Sequence, residues 1–210
     1  MAYTTVFFDL DGTLTDSAPG ILEATERTLQ RYGIHLQKEE RLRFVGPPLT
    51  QAFREFCGFS QEKAEDALVD WRRIYHGEKL WRSVPFPGIP EVLSRLSEKK
   101  KRLVVATSKP EGVAHDLLTY TGLLPYFEVV VGATLDDSRS DKVTVIREAL
   151  LRCGRPAGEC LMVGDRRYDT EGAMANGMDS LGVLYGYGTR EELQNATYIA
   201  ENVNDILHFC

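Results

Sequence analysis

An apolar run at Thr4–Phe8 leads straight into Asp9 and Asp11, and nothing like it returns until residue 102. From there, RLVVATS at 102–108, FEVVVG at 127–132, ECLMVGD at 159–165 and SLGVLYG at 180–186 are strand-like. The stretches EVLSRLSEKK, EGVAHDLLTY, DKVTVIREALLR and DTEGAMANG between or beside them have helical spacing or composition. This alternation predicts an α/β fold of crossover units around a mostly parallel, Rossmann-like sheet. The early strand must join the later ones, so the sheet is interrupted after its first strand by a long insertion.

The insertion reads as helical, with no convincing strand between Thr15 and Arg82. Ile21, Leu22, Thr25, Leu29 and Tyr32 form one interrupted apolar face ending at Gly33. Pro47 and Pro48 open a segment in which Leu49, Ala52, Phe53 and Phe56 recur at three and four residues before Gly58. Ala64, Ala67, Leu68, Trp71 and Tyr75 make a third stripe, expected to pack helix on helix. The expected division is a core of residues 1–15 and 83–210 and a helical cap of residues 16–82. Joints are placed at Thr15–Pro19 and Val84–Gly88, where prolines and glycine cluster.

Composition narrows the partners. A formal charge of -6 offers no general attraction for nucleic acid or an anionic membrane, and no apolar run approaches spanning length. Cys57, Cys153, Cys160 and Cys210 have no paired CxxC spacing and no secretory leader precedes them, which predicts reduced thiols in a cytoplasmic protein.

Ligands of open parallel sheets bind beyond the carboxyl ends of the strands. Those ends carry Asp9 and Asp11, Thr107 and Ser108, and Asp165 with Asp169 one helical turn later; Lys142 opens the helix after the FEVVVG strand. Four acids brought together suppress one another's ionisation unless a cation joins them, and an all-oxygen set favours Mg2+ over zinc. Thr107, Ser108, Lys142 and backbone donors near Asp11 and Gly12 complement an anion. This constellation suits a phosphorylated substrate: one carboxylate attacks phosphorus while its neighbour protonates the departing oxygen and later activates water.

Other motifs fit less well. A calcium loop beginning at Asp9 would need glycine and glutamate where Leu14 and Gly20 stand, and there is no GxxxxGK loop. GYGTRE at 186–191 lacks a third spaced glycine; Thr189 and Glu192 read as a capping box. Ser108 also reads as a helix cap with Glu111 as its partner, and Arg166 and Arg167 as surface ion-pair formers, with substrate contact as the alternative. The four histidines are scattered, and Arg43, Arg54, Arg72 and Arg73 are expected at the surface, with contact to an anionic leaving group as the alternative.

Together, DLDGTLTDS, ATSK, the Lys142 region and GDRRYD resemble the haloacid dehalogenase superfamily of aspartate-dependent phosphohydrolases, particularly its phosphoglycolate phosphatase-like branch. The resemblance implies a doubly wound core with a helical cap inserted after the first motif. It implies Asp9 as nucleophile and Asp11 as general acid/base, with the Asp11 backbone carbonyl facing Mg2+. It further implies Thr107 and Lys142 as phosphoryl contacts, Asp165 as a metal ligand and Asp169 as a ligand or positioner of the metal. Gly46 and Pro47, with Pro48, match a substrate-facing cap loop. The lysine lies in SRSDKVTV, without the KP pair common among relatives.

The implied activity is hydrolysis of a small phosphorylated metabolite, with phosphoglycolate as the first candidate. A 5'-nucleotidase, a β-phosphoglucomutase-like phosphotransferase, a protein-tyrosine phosphatase and a noncatalytic phosphate-binding protein are the alternatives. A cap over a recessed site disfavours folded proteins and nucleic acid, and its apolar surface suits either closure within one chain or a homodimer.

Overall fold

A computed structural model describes residues 3–79, 83–135 and 138–210. Eight strands are present among these: β1 (Thr5–Phe8), β2 (Thr15–Asp16), β3 (Val84–Pro85), β4 (Arg102–Pro110), β5 (Val129–Ala133), β6 (Cys160–Gly164), β7 (Asp179–Val183) and β8 (Tyr198–Ala200). The helices are α1 (Ala18–Arg31), α2 (Lys38–Arg41), α3 (Leu49–Cys57), α4 (Gln61–Ile74), α5 (Ile89–Glu98), α6 (Glu111–Tyr120), α7 (Lys142–Cys153), α8 (Arg167–Ala175) and α9 (Ile206–Phe209). Six strands form one parallel sheet in the order β5-β4-β1-β6-β7-β8.

β1 lies at the centre because its side chains are apolar on both faces. Phe8 faces one core with Val105, Val163 and residues of α5 and α6, while Phe7 faces another with Val104, Met162 and residues of α7 and α8. Such two-sided burial is what a continuous apolar run, rather than an alternating one, requires. Each fully buried phenylalanine contributes roughly 1.5–3 kcal/mol relative to exposure. The chain leaves β1 for β4 on one side and later returns to β6 on the other, so the sheet switches direction at β1 and opens a crevice at its carboxyl end.

Helices α1 to α4 form a cap above that crevice. Ala64, Ala67, Leu68, Trp71 and Tyr75 are all buried, and the Trp71 indole N–H donates to Thr25 Oγ1 of α1 at 3.0 Å. Phe44 packs edge-on to both Phe53 and Phe56.

Four sequence expectations change. The first is that the region beginning at Thr15 does hold a strand: β2 pairs antiparallel with β3, Thr15 opposite Pro85 and Asp16 opposite Val84. Both joints are therefore bonded to each other, and the insertion leaves and re-enters the core at one place. The boundary between residues 82 and 83 borders residues 80–82, which lie outside the described residues, as does residue 1. A second change is β8, a strand of three residues too short to show periodicity.

Thirdly, β4 continues through Ser108 to Pro110, so Ser108 caps no helix; the α6 N-cap is Pro110. Glu111 instead accepts from Gly132 N, Arg139 and Arg152. Lastly, Thr189 Oγ1 does accept the Glu192 N–H at 3.3 Å, but no helix follows and the Glu192 carboxylate serves Arg166 and Arg167.

Candidate active site

Asp9 is the first residue beyond β1, and its N–H donates to Val163 O of β6 at 2.9 Å, fixing it between the two strands where the crevice opens. Asp165 follows β6 directly. Asp169 sits in the first turn of α8, held by the Arg166 N–H donating to its Oδ2 at 3.1 Å. One oxygen from each of the three acids lies within 4.8 Å of the others, and all three residues are buried. Lys142 opens α7 after the N-cap Asp141, which accepts the Thr144 N–H at 2.9 Å. A cap of this kind is worth about 1 kcal/mol. It points the lysine into the crevice, with Nζ 2.7 Å from Asp9 Oδ1 and 2.8 Å from Asp169 Oδ1, donating also to Ala106 O at 3.1 Å.

Charge is the dominant feature here. Burial first, then Asp169 and Asp9, push the Asp165 carboxyl up to about 8. Burial likewise raises Asp9 to about 6, with Lys142 opposing it and Asp169 adding to it. Burial works against the Lys142 ammonium, but Asp169 and Asp9 outweigh that penalty and raise its pKa. One ammonium is thus set against three buried carboxylates. Asp9 Oδ1 and Asp169 Oδ1 are buried without an aligned hydrogen-bond donor, despite their short ion-pair distances to Lys142. An all-oxygen set with surplus negative charge and under-satisfied oxygens fits a hard divalent cation such as Mg2+.

Asp165 is oriented from two sides: Thr13 Oγ1 donates to Oδ1 at 3.2 Å and the Tyr187 N–H to Oδ2 at 2.8 Å. Gly12 lies directly beneath. Its φ is +88°, and a Cβ there would stand 2.4 Å from Asp165 Oδ2. The small residue after the paired acids is therefore required by both backbone and space.

Asp9, Asp11, Thr107 and Ser108 line one cavity with Gly46, Pro47 and Pro48 of the cap. Gly12 does not line it. The Thr107 hydroxyl accepts the Lys109 N–H at 3.2 Å. Asp11 departs from the expected convergence of four acids: its carboxylate lies outside the three-acid cluster and pairs with Lys109, whose Nζ is 3.0 and 2.8 Å from Oδ1 and Oδ2. The strand end supplies a second cation, which pairs with Asp11.

Lys109 was not among the expected site residues. The available signal was the two-residue strand period, which puts Lys109 on the same side as Thr107. Its ammonium also donates to the Tyr75 hydroxyl at 3.0 Å, so a residue expected only to pack reaches the site. Arg166, expected at the surface, is partly buried between Glu192, 2.8 Å from its Nε, and the carbonyl of Val45 in the cap loop, to which Nη1 donates. Gly46, at φ +110°, packs on that side chain; a Cβ would lie 2.9 Å from Arg166 Cγ. The GYGTRE loop also touches the site through Tyr187, whose hydroxyl donates to Asp16 Oδ1 at 2.7 Å and accepts the Ala18 N–H at 3.0 Å.

On the cap side the cavity is walled mainly by Phe44, Pro47, Leu49, Leu68, Trp71 and Tyr75, with Arg72 and His76 also present. Trp71 and Tyr75 stack with ring centroids 4.5 Å apart. Burial first, then Lys109 and Arg72, lower the His76 pKa, which favours its neutral form. No helix among the described residues is long and apolar enough to cross a membrane.

Comparison with known proteins agrees with this geometry. A 5'-nucleotidase of Pseudomonas aeruginosa is 38% identical over 195 residues, covering 92% of this chain and 88% of the relative. Tyrosine-protein kinase PtkA of Mycobacterium tuberculosis is 42% identical over 185 residues, covering 87% of this chain but only 62% of that protein. A crystal structure described as a predicted phosphatase, from Clostridium acetobutylicum, superposes with a TM-score of 0.95 at 38% identity, covering 98% of this chain and 97% of that one. The sequence pattern of the haloacid dehalogenase-like hydrolases matches residues 6–183. With the fold, the buried acid cluster and this match in agreement, the chain belongs to the haloacid dehalogenase-like hydrolases and is an enzyme of the phosphatase/hydrolase class.

Proposed function

We propose that this protein hydrolyses a small phosphate monoester in a Mg2+-dependent reaction through an aspartyl-phosphate at Asp9. The observation that carries the reading is the meeting of Asp9, Asp165 and Asp169 within 4.8 Å, with Lys142 ion-paired to two of them. Asp9, Asp165 and Asp169 would hold the metal, whose charge offsets that of the transferring phosphoryl group. An Asp9 oxygen attacks phosphorus as the bond to the leaving oxygen breaks. Asp11 gives that oxygen its proton. In the second half Asp11 takes a proton from water as the water attacks phosphorus, the bond to Asp9 breaks and phosphate departs. Thr107, Ser108 and Lys142 hold the phosphoryl oxygens meanwhile, with Gly12 allowing the close approach of Asp165.

For the leaving group, the wall of the cavity favours a 5'-nucleotide over phosphoglycolate. Phe44, Leu49, Leu68 and the Trp71–Tyr75 stack offer apolar, planar contacts suited to a nucleoside, whereas glycolate would bring a carboxylate against them. The 38% identity to a 5'-nucleotidase supports the same choice. Phosphate release should be measured with and without Mg2+ on 5'-nucleotides, phosphoglycolate, hexose phosphates and phosphotyrosine. The expected result is metal-dependent release with nucleotides giving the highest kcat/KM. A preference for phosphoglycolate would overturn the substrate assignment. Isomerisation of a hexose phosphate without net phosphate release would overturn hydrolysis itself.

A further inference from the structure

We infer that Lys109 is a positioning residue for Asp11 and that Tyr75 of the cap completes its placement, so that cap docking and the orientation of the proton-transfer carboxylate are one event. The inference rests on the roles proposed above for Asp9 and Asp11.

The Lys109 side chain is buried, and its ammonium reaches both oxygens of Asp11, at 3.0 and 2.8 Å, and the hydroxyl of Tyr75 at 3.0 Å. A carboxylate on a short side chain that is held through both oxygens has little freedom to rotate. Tyr75 lies just beyond α4 and is 1% exposed; it stacks on Trp71, which is tied to Thr25 in α1. A continuous line of contacts therefore runs from the cap helices through Tyr75 and Lys109 to Asp11. If the cap swung away about its paired joints, Lys109 would lose one of its three ligands. Lys142, by contrast, serves Asp9 and Asp169, so the two buried lysines pair with different acids.

A carboxylate that must protonate a leaving oxygen matters in proportion to how poor that leaving group is. Because kcat/KM reports steps up to the first irreversible one, its dependence on leaving-group pKa isolates the transfer to Asp9 from later hydrolysis. The test is kcat/KM for uncharged alkyl and aryl phosphates of graded leaving-group pKa, at saturating Mg2+, with wild type, Lys109→Met, Asp11→Asn, the double variant and Tyr75→Phe.

Lys109→Met is expected to lose about 10²-fold on alkyl phosphates and less than about tenfold on activated aryl phosphates. In the Asp11→Asn background the same substitution should add less than about threefold, since Lys109 acts through Asp11. Tyr75→Phe should show the same pattern more weakly, a several-fold loss of kcat/KM on alkyl phosphates and little change on activated aryl phosphates, because its hydroxyl acts on Asp11 through Lys109. Loss by one common factor for Lys109→Met across the series, or full additivity in the double variant, would overturn the inference. A shallow dependence in Asp11→Asn itself would instead remove the acid/base reading on which the inference rests. Should Lys109→Met fail to fold, Lys109→Arg serves: it keeps the charge and moves the donors, and must still show the steeper dependence.

Discussion

Gly12 and Asp165 occupy adjoining space so closely that a Cβ on the first would stand 2.4 Å from Oδ2 of the second. Asp165 cannot retreat, because Thr13 and the Tyr187 N–H hold its two oxygens. Gly12→Ala therefore combines a left-handed φ of +88° with a steric conflict at a buried carboxylate. The expected destabilisation is about 2 kcal/mol, a fall in Tm of roughly 4–8 °C, together with loss of Mg2+-dependent phosphate release. Differential scanning calorimetry and a phosphate assay on the purified variant check both.

Asp165 gives the metal-free protein a distinctive pH dependence. Its folded pKa of about 8 lies above the ordinary carboxylate value of 3.8, so between those pH values the folded state binds a proton that the unfolded state has released. Stability without metal should therefore fall as pH rises from about 4 to about 8. The folded value of about 6 for Asp9 acts in the same direction over the lower part of that range. Mg2+ should reverse the trend, raising Tm most at the alkaline end. Asp165→Asn should make the metal-free protein more stable than wild type at pH 8 while abolishing the Mg2+-induced rise. Thermal melts at several pH values, with Mg2+ and with a chelator, measure this.

Arg166 ties the cap loop to the loop that follows β6 through the Val45 carbonyl, and Glu192 orients it at 2.8 Å. Removing the charge with Glu192→Gln should weaken cap docking by about 1 kcal/mol. The expected outcome is a KM about fivefold higher with kcat changed less than twofold, read from steady-state phosphate release.

Much of this arrangement is legible from the chain. Strand β1 and its two acids are visible because an apolar run ending in carboxylates has few physical solutions, and Asp165 and Asp169 follow from the rule that crevices form at strand exits. The three-acid cluster and Lys142 meet as that rule requires. Lys109 is not legible in the same way: SKP reads equally well as a helix start, and only the extension of β4 to Pro110 puts the ammonium in the crevice. Tyr75 and Arg166 are hidden for a related reason. Their partners, Lys109 and Val45, are far away in sequence, and neither periodicity nor local spacing reports a contact between cap and core.

Leu49 offers a direct test of what the cap wall selects. It lines the cavity, is only partly buried and starts α3, so an arginine there needs no repacking of the core. Leu49→Arg should lower kcat/KM for 5'-nucleotides by about tenfold, the loss of about 1.4 kcal/mol of apolar contact, and raise it for phosphoglycolate. Parallel kinetics on the two substrates decide the matter. A uniform fall on both would remove the wall from the account of specificity.

The most direct measurement is acid quenching during turnover of a 32P-labelled substrate with Mg2+, followed by peptide mapping of the denatured protein. The account predicts an acid-stable, alkali-labile phosphoryl group on Asp9 alone, and no label together with at least a 10³-fold loss of turnover in Asp9→Asn, as expected for removal of a nucleophile. Label on another residue, or undiminished turnover in Asp9→Asn, would contradict it.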